Sequence, residues 1–187
     1  LVVLDRLSGI ASHDAGSLSA EVYAGSRLSD LGQPLDDKGQ AMPNLPDIDR
    51  QTVAGAVATS THGTGRELQS LSGYIRGLTL VTPRGEVLEL GQNDERLAAA
   101  AVSLGVLGVI TRVNFQNRSP FRLRTRTWVE ATTSVLDNFE RLCDEWQHFE
   151  MFPLLYSDYS LVVAHQETNN PLQEPAAAED DGAVLRL

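Results

Sequence analysis

The alternation of apolar and polar positions divides the chain into short strands and short helices. Leu1-Val2-Val3-Leu4 opens as a strand, Ser8-Gly9 and residues 13–17 carry turn chemistry, and Ala20-Glu21-Val22-Tyr23-Ala24-Gly25 resumes a period of two. An antiparallel pair is expected there. Leu28, Leu31 and Leu35 recur at helical spacing toward Gly39, with Pro34 kinking that helix or starting its regular part. Residues 75–82 and 86–90 flank Pro83-Arg84-Gly85, which predicts a β-hairpin because Pro fixes the first corner and Gly accepts a positive φ. Asn93 and Asp94 offer caps to a helix over 96–102 that closes at Gly105, and Val109, Thr111, Val113 and Phe115 then alternate with polar residues as a strand.

Ser119-Pro120 punctuates the chain, and a domain boundary is expected near residue 118, dividing 1–118 from 119–187. Beyond it Phe121, Leu123, Thr125, Thr127 and Val129 alternate with Arg122, Arg124, Arg126 and Trp128. Thr132 or Thr133 is the predicted cap of one helix whose Val135, Leu136, Phe139, Leu142, Cys143 and Trp146 form a single apolar stripe. Residues 149–155 and 160–164 read as two further strands, so 121–164 spell β-α-β-β, the start of a split βαβ arrangement. From Gln166 onward the periodic signal stops, and five acids against one Arg in 22 residues predict a frayed tail or an atypical domain end.

Composition narrows the function classes. A formal net charge of -10 over 187 residues argues against gripping nucleic acid, which needs clustered Lys and Arg. Cys143 is the single cysteine, so neither an internal disulfide nor a cysteine metal cage is available, and no oxidising compartment is required. No window approaches the apolar length of a membrane span, and the N-terminus lacks the pattern of a signal peptide. His13, His148 and His165 are scattered without metal spacing, and no metal site is expected. Arg122, Arg124 and Arg126 read as a solvated row, and Trp128 and Trp146 as packing anchors.

Chemistry concentrates between Met42 and Gly65, where Pro, Gly, Ala, Ser and Thr dominate. Ala58-Thr59-Ser60-Thr61-His62-Gly63-Thr64-Gly65 gathers hydroxyls, backbone N–H groups and one imidazole, a composition suited to cradling a polar ligand. It is neither the Walker pattern nor the dinucleotide fingerprint. The competing reading is a tight loop whose glycines only satisfy a positive φ.

Pro43-Asn44-Leu45-Pro46-Asp47-Ile48-Asp49-Arg50-Gln51-Thr52-Val53-Ala54-Gly55-Ala56, leading into Thr59 to Gly65, resembles the second flavin-contacting region of the aldonolactone oxidase group. That group comprises FAD-dependent sugar-lactone and alditol oxidoreductases of the vanillyl-alcohol oxidase superfamily. Ser103-Leu104-Gly105-Val106-Leu107-Gly108-Val109-Ile110-Thr111 resembles the superfamily's next flavin-contacting segment, and residues 121–150 its opening substrate domain. The resemblance implies an α+β fold: a PCMH-type FAD-binding subdomain of mixed and antiparallel sheet with helices, followed by the start of a ferredoxin-like substrate (cap) domain. It also implies FAD as cofactor, a sugar lactone or polyol as substrate, and oxygen or another electron acceptor.

Carried over by position, Asp47 and Thr52 match polar loop residues near the flavin, and Gly55 a close backbone approach. Thr59, Ser60, Thr61, His62 and Gly63 match the loop around the pyrophosphate and isoalloxazine, and Val109 or Ile110 the backbone meeting the adenine end. Pro46 sits where side-chain size in the family bears on oxygen access. The family's Gly-x-Gly-His-Ser-type loop lies upstream of Leu1, and its catalytic residues and His-Trp motif lie downstream of residue 187. Catalytic residues are therefore not assigned, an internal piece or truncated product is expected, and a cofactor-free interaction module is the alternative. A cytoplasmic location is expected, with the membrane association some family members show.

Overall fold

The computed structural model describes residues 2–171. Its first sheet has five strands, all antiparallel, in the order β1-β2-β5-β3-β4. These are β1 (Ile10–Asp14), β2 (Ser19–Tyr23), β3 (Ile75–Val81), β4 (Val87–Gly91) and β5 (Val109–Gln116). β5 is central: Ile110, Val113 and Phe115 are buried, the three-residue step from 110 to 113 matching a register irregularity opposite Thr79 and Leu80, whereas Arg112 and Asn114 face the more open side. Val22 of β2 pairs with Val113, and Leu78 of β3 pairs with Val113 from the other side, so one apolar ladder crosses three strands.

Helices cover that apolar face. α1 (Gly32–Asp36), α2 (Val53–Ala58) and α3 (Leu97–Ala101) bring Leu35, Val53, Ala56, Val57, Leu97 and Ala100 into the same core as Phe115. The small side chains of Ala56 and Ala58 let the α2 backbone lie close to the sheet.

The opening strand expected at the N-terminus is not formed over residues 2–4, and Leu1 lies outside the described residues. β1 lies later, at Ile10–Asp14, because it takes its register from β2 through a turn in which Asp14 Oδ1 accepts the Gly16 N–H at 2.7 Å. The helix anticipated over 28–39 is split into a 3-10 turn at Leu28–Asp30 and α1, with Pro34 inside α1 near its N-terminus, where its missing N–H costs nothing. The hairpin forms as expected, Gly85 at φ +81°.

The second sheet has three strands, in the order β6-β8-β7: β6 (Leu123–Ala131), β7 (His148–Pro153) and β8 (Tyr159–Glu167). Between β6 and β7 the predicted single helix is two, α4 (Thr132–Asp137) and α5 (Phe139–Glu145). The helix breaks at Asn138, whose backbone leaves helical geometry at φ −104° and ψ 10° while its Nδ2–H and its own N–H share the Ser134 carbonyl at 2.9 and 3.2 Å. The break rotates the stripe: Val135, Leu142 and Trp146 are buried with Val162 and Ala164, while Leu136 and Phe139 are exposed. Thr132 does not cap; its hydroxyl instead bonds Ser160 Oγ at 2.8 Å. Arg124 and Arg126 lie over the Trp146 and Trp128 rings at 5.5 and 4.9 Å, and the two rings pack with centroids 6.3 Å apart.

Order does not stop at Gln166. Glu167 ends β8 in a paired contact with Arg118, braced by Gln147 Nε2–H at 3.1 Å. The predicted tail from residue 172 lies outside the described residues. No described helix is long and apolar enough to cross a membrane.

Phe115 is 2% exposed and joins β5 to both neighbouring strands. Phe115→Ala is expected to lower unfolding free energy by about 3–5 kcal/mol in urea titration, and a loss below about 1 kcal/mol would show that this side chain does not fill the core.

Candidate functional site

α2 and the loop after it hold most of the residues singled out by sequence. Thr52 begins α2, its Oγ1 accepting the Gly55 N–H at 3.3 Å. The other early N–H groups are already committed: Val53 donates to the Ser26 carbonyl and Ala54 to that of Ala24, both at 2.8 Å. The start of this six-residue helix therefore offers little to an anion. Its open face does remain available, because Thr52, Gly55 and Thr59 are exposed one turn apart while Val53, Ala56 and Val57 turn inward.

After Thr59 the chain reverses at Ser60, φ +55°, a conformation held by Ser60 Oγ bonding Ser70 Oγ and Ser72 Oγ at 3.1 Å each. Ser60 thus points into a serine cluster and not toward the Thr59 side. Thr59 Oγ1–H donates to the Gly55 carbonyl at 2.9 Å and lies 3.2 Å from Thr61 Oγ1, placing two hydroxyls together. His62 is exposed, its Nδ1–H donating to the Gly63 carbonyl at 2.8 Å. Among the described residues, no hydrogen bond is recorded for the N–H groups of His62, Gly63 or Thr64. Three successive donors are therefore without an intramolecular partner.

Gly63 has a specific steric reason. A Cβ there would collide with the Leu45 carbonyl oxygen and with Asn44 Oδ1. Asn44, 5% exposed, clamps this contact by donating from Nδ2 to the Thr64 carbonyl at 3.2 Å and to the Gln69 carbonyl at 3.4 Å.

The loop after α3 reaches the same region. The Leu104 N–H donates to the Ala58 carbonyl at 3.1 Å, and Leu104 and Val106 are 71% and 77% exposed. Val109 and Ile110 follow; the Ile110 side chain is buried, so only its backbone can meet a ligand. β2 pairs with β5 as far as Arg112, so both residues run past that edge.

On the other side of Thr64 is a cleft of about 170 Å³ between the first body of the chain and the second sheet. Asn44, Asp47, Thr64, His148, Glu150 and His165 border it, with Leu45, Phe121 and Leu123 as apolar wall. Thr64 Oγ1 bonds His148 Nδ1 at 3.1 Å, joining α2's loop to β7. His148 is 7% exposed and its Nε2 has no partner among the described residues. Burial, then the neighbouring His165, lowers the His148 pKa. Glu150 lies one position further along the same face of β7 and lines the cleft together with Asp47 and Thr64. Burial and then the Asp47 carboxyl push the Glu150 pKa up.

Of the sequence-predicted residues, Asp47 lines this cleft, Thr52, Gly55, Thr59 and Thr61 lie on the α2 side, and His62 and Gly63 join the two. His148, Glu150, Thr64 and Asn44 escaped the residue-by-residue reading. The visible signal was His148 and Glu150 two apart between Phe149 and Met151, which puts both on one face of a strand.

Residues 1–91 match the family described as "FAD binding domain". The chain is 39% identical over 155 residues to an L-gulono-1,4-lactone dehydrogenase of Mycobacterium tuberculosis, covering 82% of this chain and 36% of that protein. It is 31% identical over 173 residues to an L-gulonolactone oxidase of Bos taurus, covering 91% and 39%, and 31% identical over 137 residues to an alditol oxidase of a Streptomyces species, covering 73% and 33%. It thus spans little more than a third of these relatives' length. A cholesterol oxidase variant from Brevibacterium sterolicum superposes with a TM-score of 0.81 over 90% of this chain and 35% of its own, at 20% identity, a likeness of fold.

The two shifted groups act on stability with opposite signs. Glu150 is raised above its ordinary value of 4.5, so its contribution is complete below that value and is lost as pH rises through the raised one. His148 is lowered from 6.5, so its contribution is complete above 6.5 and is lost as pH falls through the lowered value. In melting experiments Glu150→Gln is expected to gain stability relative to the parent at neutral pH but not near pH 4. His148→Gln is expected to flatten the loss between neutrality and about pH 5; unchanged profiles in both would refute the assignment.

Proposed function

We propose that this chain, which belongs to the FAD-dependent aldonolactone oxidase group and whose cofactor is FAD, serves the oxidation of a CH–OH group in a sugar-derived lactone or polyol. The observation that carries the reading is the continuity at residues 62–64: three successive N–H groups lack an intramolecular partner, and the last of these residues borders the polar cleft.

The residues fit the cofactor on the structure's own terms. Unpartnered N–H groups and the paired hydroxyls of Thr59 and Thr61 suit phosphate and ring-carbonyl oxygens without requiring a cation, and the close packing of Gly63 on Leu45 fixes the loop that carries them. Thr52 and Gly55 supply an open helix face, the backbone of Val109 and Ile110 an unpaired strand edge, and exposed Leu104 and Val106 an apolar cover. Ser60 holds the corner through Ser70 and Ser72, and Asp47, the polar loop residue that the family resemblance assigns to the flavin, stands where that loop meets the cleft. When bound, FAD supplies hydride acceptance from the alcohol carbon and onward transfer of electrons to oxygen or another acceptor. The chain's own part is to bind, orient and shield: the α2 side holds the cofactor, and β7 and β8 close over the substrate side through the Thr64–His148 bond. We read the region near residue 118 as the boundary between these two roles; Arg118, paired to Glu167, ties them together.

Titration of the 187-residue chain with FAD, followed by visible absorption and flavin fluorescence, tests the reading. The parent is expected to retain FAD weakly or not at all on purification, because contacts to the cofactor are shared across subdomains, and to quench flavin fluorescence only at high FAD. Gly63→Ala is expected to lose that residual binding, because its Cβ displaces Leu45 or the loop. A folded chain that leaves the flavin spectrum unchanged would favour a cofactor-free interaction module instead.

A further inference from the structure

β6 is the outer strand of the second sheet: β8 pairs with it from Leu123 to Ala131 on one side, and no strand among the described residues pairs with it on the other. The bonds at the two ends of this ladder fix which backbone groups are left over. The Arg122 carbonyl accepts the Thr168 N–H at 3.0 Å and the Thr132 N–H donates to the Asp158 carbonyl at 2.8 Å, so the even-numbered residues of β6 turn their N–H and C=O toward β8. The N–H and C=O of Leu123, Thr125, Thr127, Val129 and Ala131 therefore point outward, along a strand that is largely exposed. Proline, a bulge or a lysine commonly blunts such an edge, and β6 has none of them.

The side chains along this edge complement themselves. Laid antiparallel against a second copy about Thr127, Arg124 meets Glu130, Arg126 meets Trp128, and Thr125 meets Val129, each combination occurring twice. Because the outward-facing residues make the hydrogen-bonded pairs, Arg124–Glu130 and Arg126–Trp128 fall at the other positions, where opposed side chains approach most closely. Arg124 and Arg126 are exposed, and neither is in an ion pair among the described residues. Glu130 is held on the strand by the Trp128 Nε1–H at 2.9 Å and the Ser134 hydroxyl at 2.5 Å, with a further lone pair free on each oxygen. Other registers are poorer. Centring on Arg126 sets that residue against itself, centring on Thr125 sets Arg124 against Arg126, and centring on Trp128 leaves Leu123 and Arg124 with no opposing residue on the strand.

We propose that β6 is a self-association edge: two copies of this chain pair antiparallel through β6 about Thr127, joining their three-stranded sheets into one continuous sheet. The full match supplies about ten backbone hydrogen bonds between the copies. The net charge of -10 on each copy opposes association, so the attraction is local: the backbone edge holds the copies together, and the Arg124–Glu130 pairs select the register.

Sedimentation velocity of the 187-residue chain tests this over about 5–500 µM, at about 150 mM salt to screen the long-range repulsion. The expected result is a shift from monomer to dimer as concentration rises. Arg124→Glu sets acid against acid at both ends of the paired edge, and Glu130→Arg sets base against base, so each alone is expected to weaken the dimer about tenfold. Mixed in equal amounts, the two variants are expected to form a mixed dimer within about threefold of the parent's affinity, because both charged positions then pair Arg with Glu. Thr127→Pro removes an outward N–H and leaves the ladder to β8 complete, and is expected to abolish the dimer. Circular dichroism reports whether each variant folds, and the mixing experiment decides the matter should Thr127→Pro fail to. A chain that stays monomeric throughout, as it would if another segment filled the edge, overturns the proposal. So does a dimer indifferent to the single charge reversals, which would mark a different interface, or a pair of variants that does not complement on mixing.

Discussion

The contact on which the site depends is the backbone of Gly63 lying against the carbonyl of Leu45. A side chain at Gly63 would collide with that oxygen, so the loop after α2 and the proline-rich loop before it can meet only at a glycine. Asn44 secures the contact by donating to the Thr64 and Gln69 carbonyls from within the core. From that junction the chain faces two ways. Toward α2 the N–H groups of residues 62–64 follow without intramolecular partners, and toward β7 Thr64 is placed against His148.

Burial and charge follow from the same junction. Because the second sheet closes onto Thr64, His148 is removed from water and Glu150 is brought to the cleft that Asp47 lines, and both titrating groups shift for that reason. The connections farther out contribute less. Arg66 reaches Glu140 and Asp144 on α5 at 2.6 and 2.8 Å, but these side chains are largely exposed, where an ion pair is worth about 0–1 kcal/mol. The less exposed Arg118–Glu167 pair, with Arg118 4.2 Å over the Phe121 ring, is the firmer tie at the other end of the cleft.

A cradle that relies on N–H groups and hydroxyls suits a chain of net charge -10, since it needs no cation to hold an anionic cofactor. It also explains why the beginning of α2 can be spent on internal hydrogen bonds: Ser26 and Ala24 take its free donors and fix the helix to the strand, leaving the following loop as the polar surface. Position, more than charge, separates the cofactor side from the substrate side.

Local periodicity was enough for the elements whose partners lie close in sequence. The 75–91 hairpin, the strand at 109–116 and the two strands before and after residue 156 were legible because turn residues and alternation act over a few positions. The small-residue run that holds the cradle was legible as composition, and the family resemblance gave it a cofactor. Where tertiary contacts compete with local preference, the pattern misled. β1 takes its register from β2 and not from the apolar run at the terminus, and Asn138, whose backbone departs from helical geometry, divides a stripe that looked continuous. The cleft was beyond the sequence altogether. Asp47 and Glu150 are about a hundred residues apart, and only the closing of the second sheet onto the Thr64 loop brings both to one cleft and buries the His148 imidazole beside it.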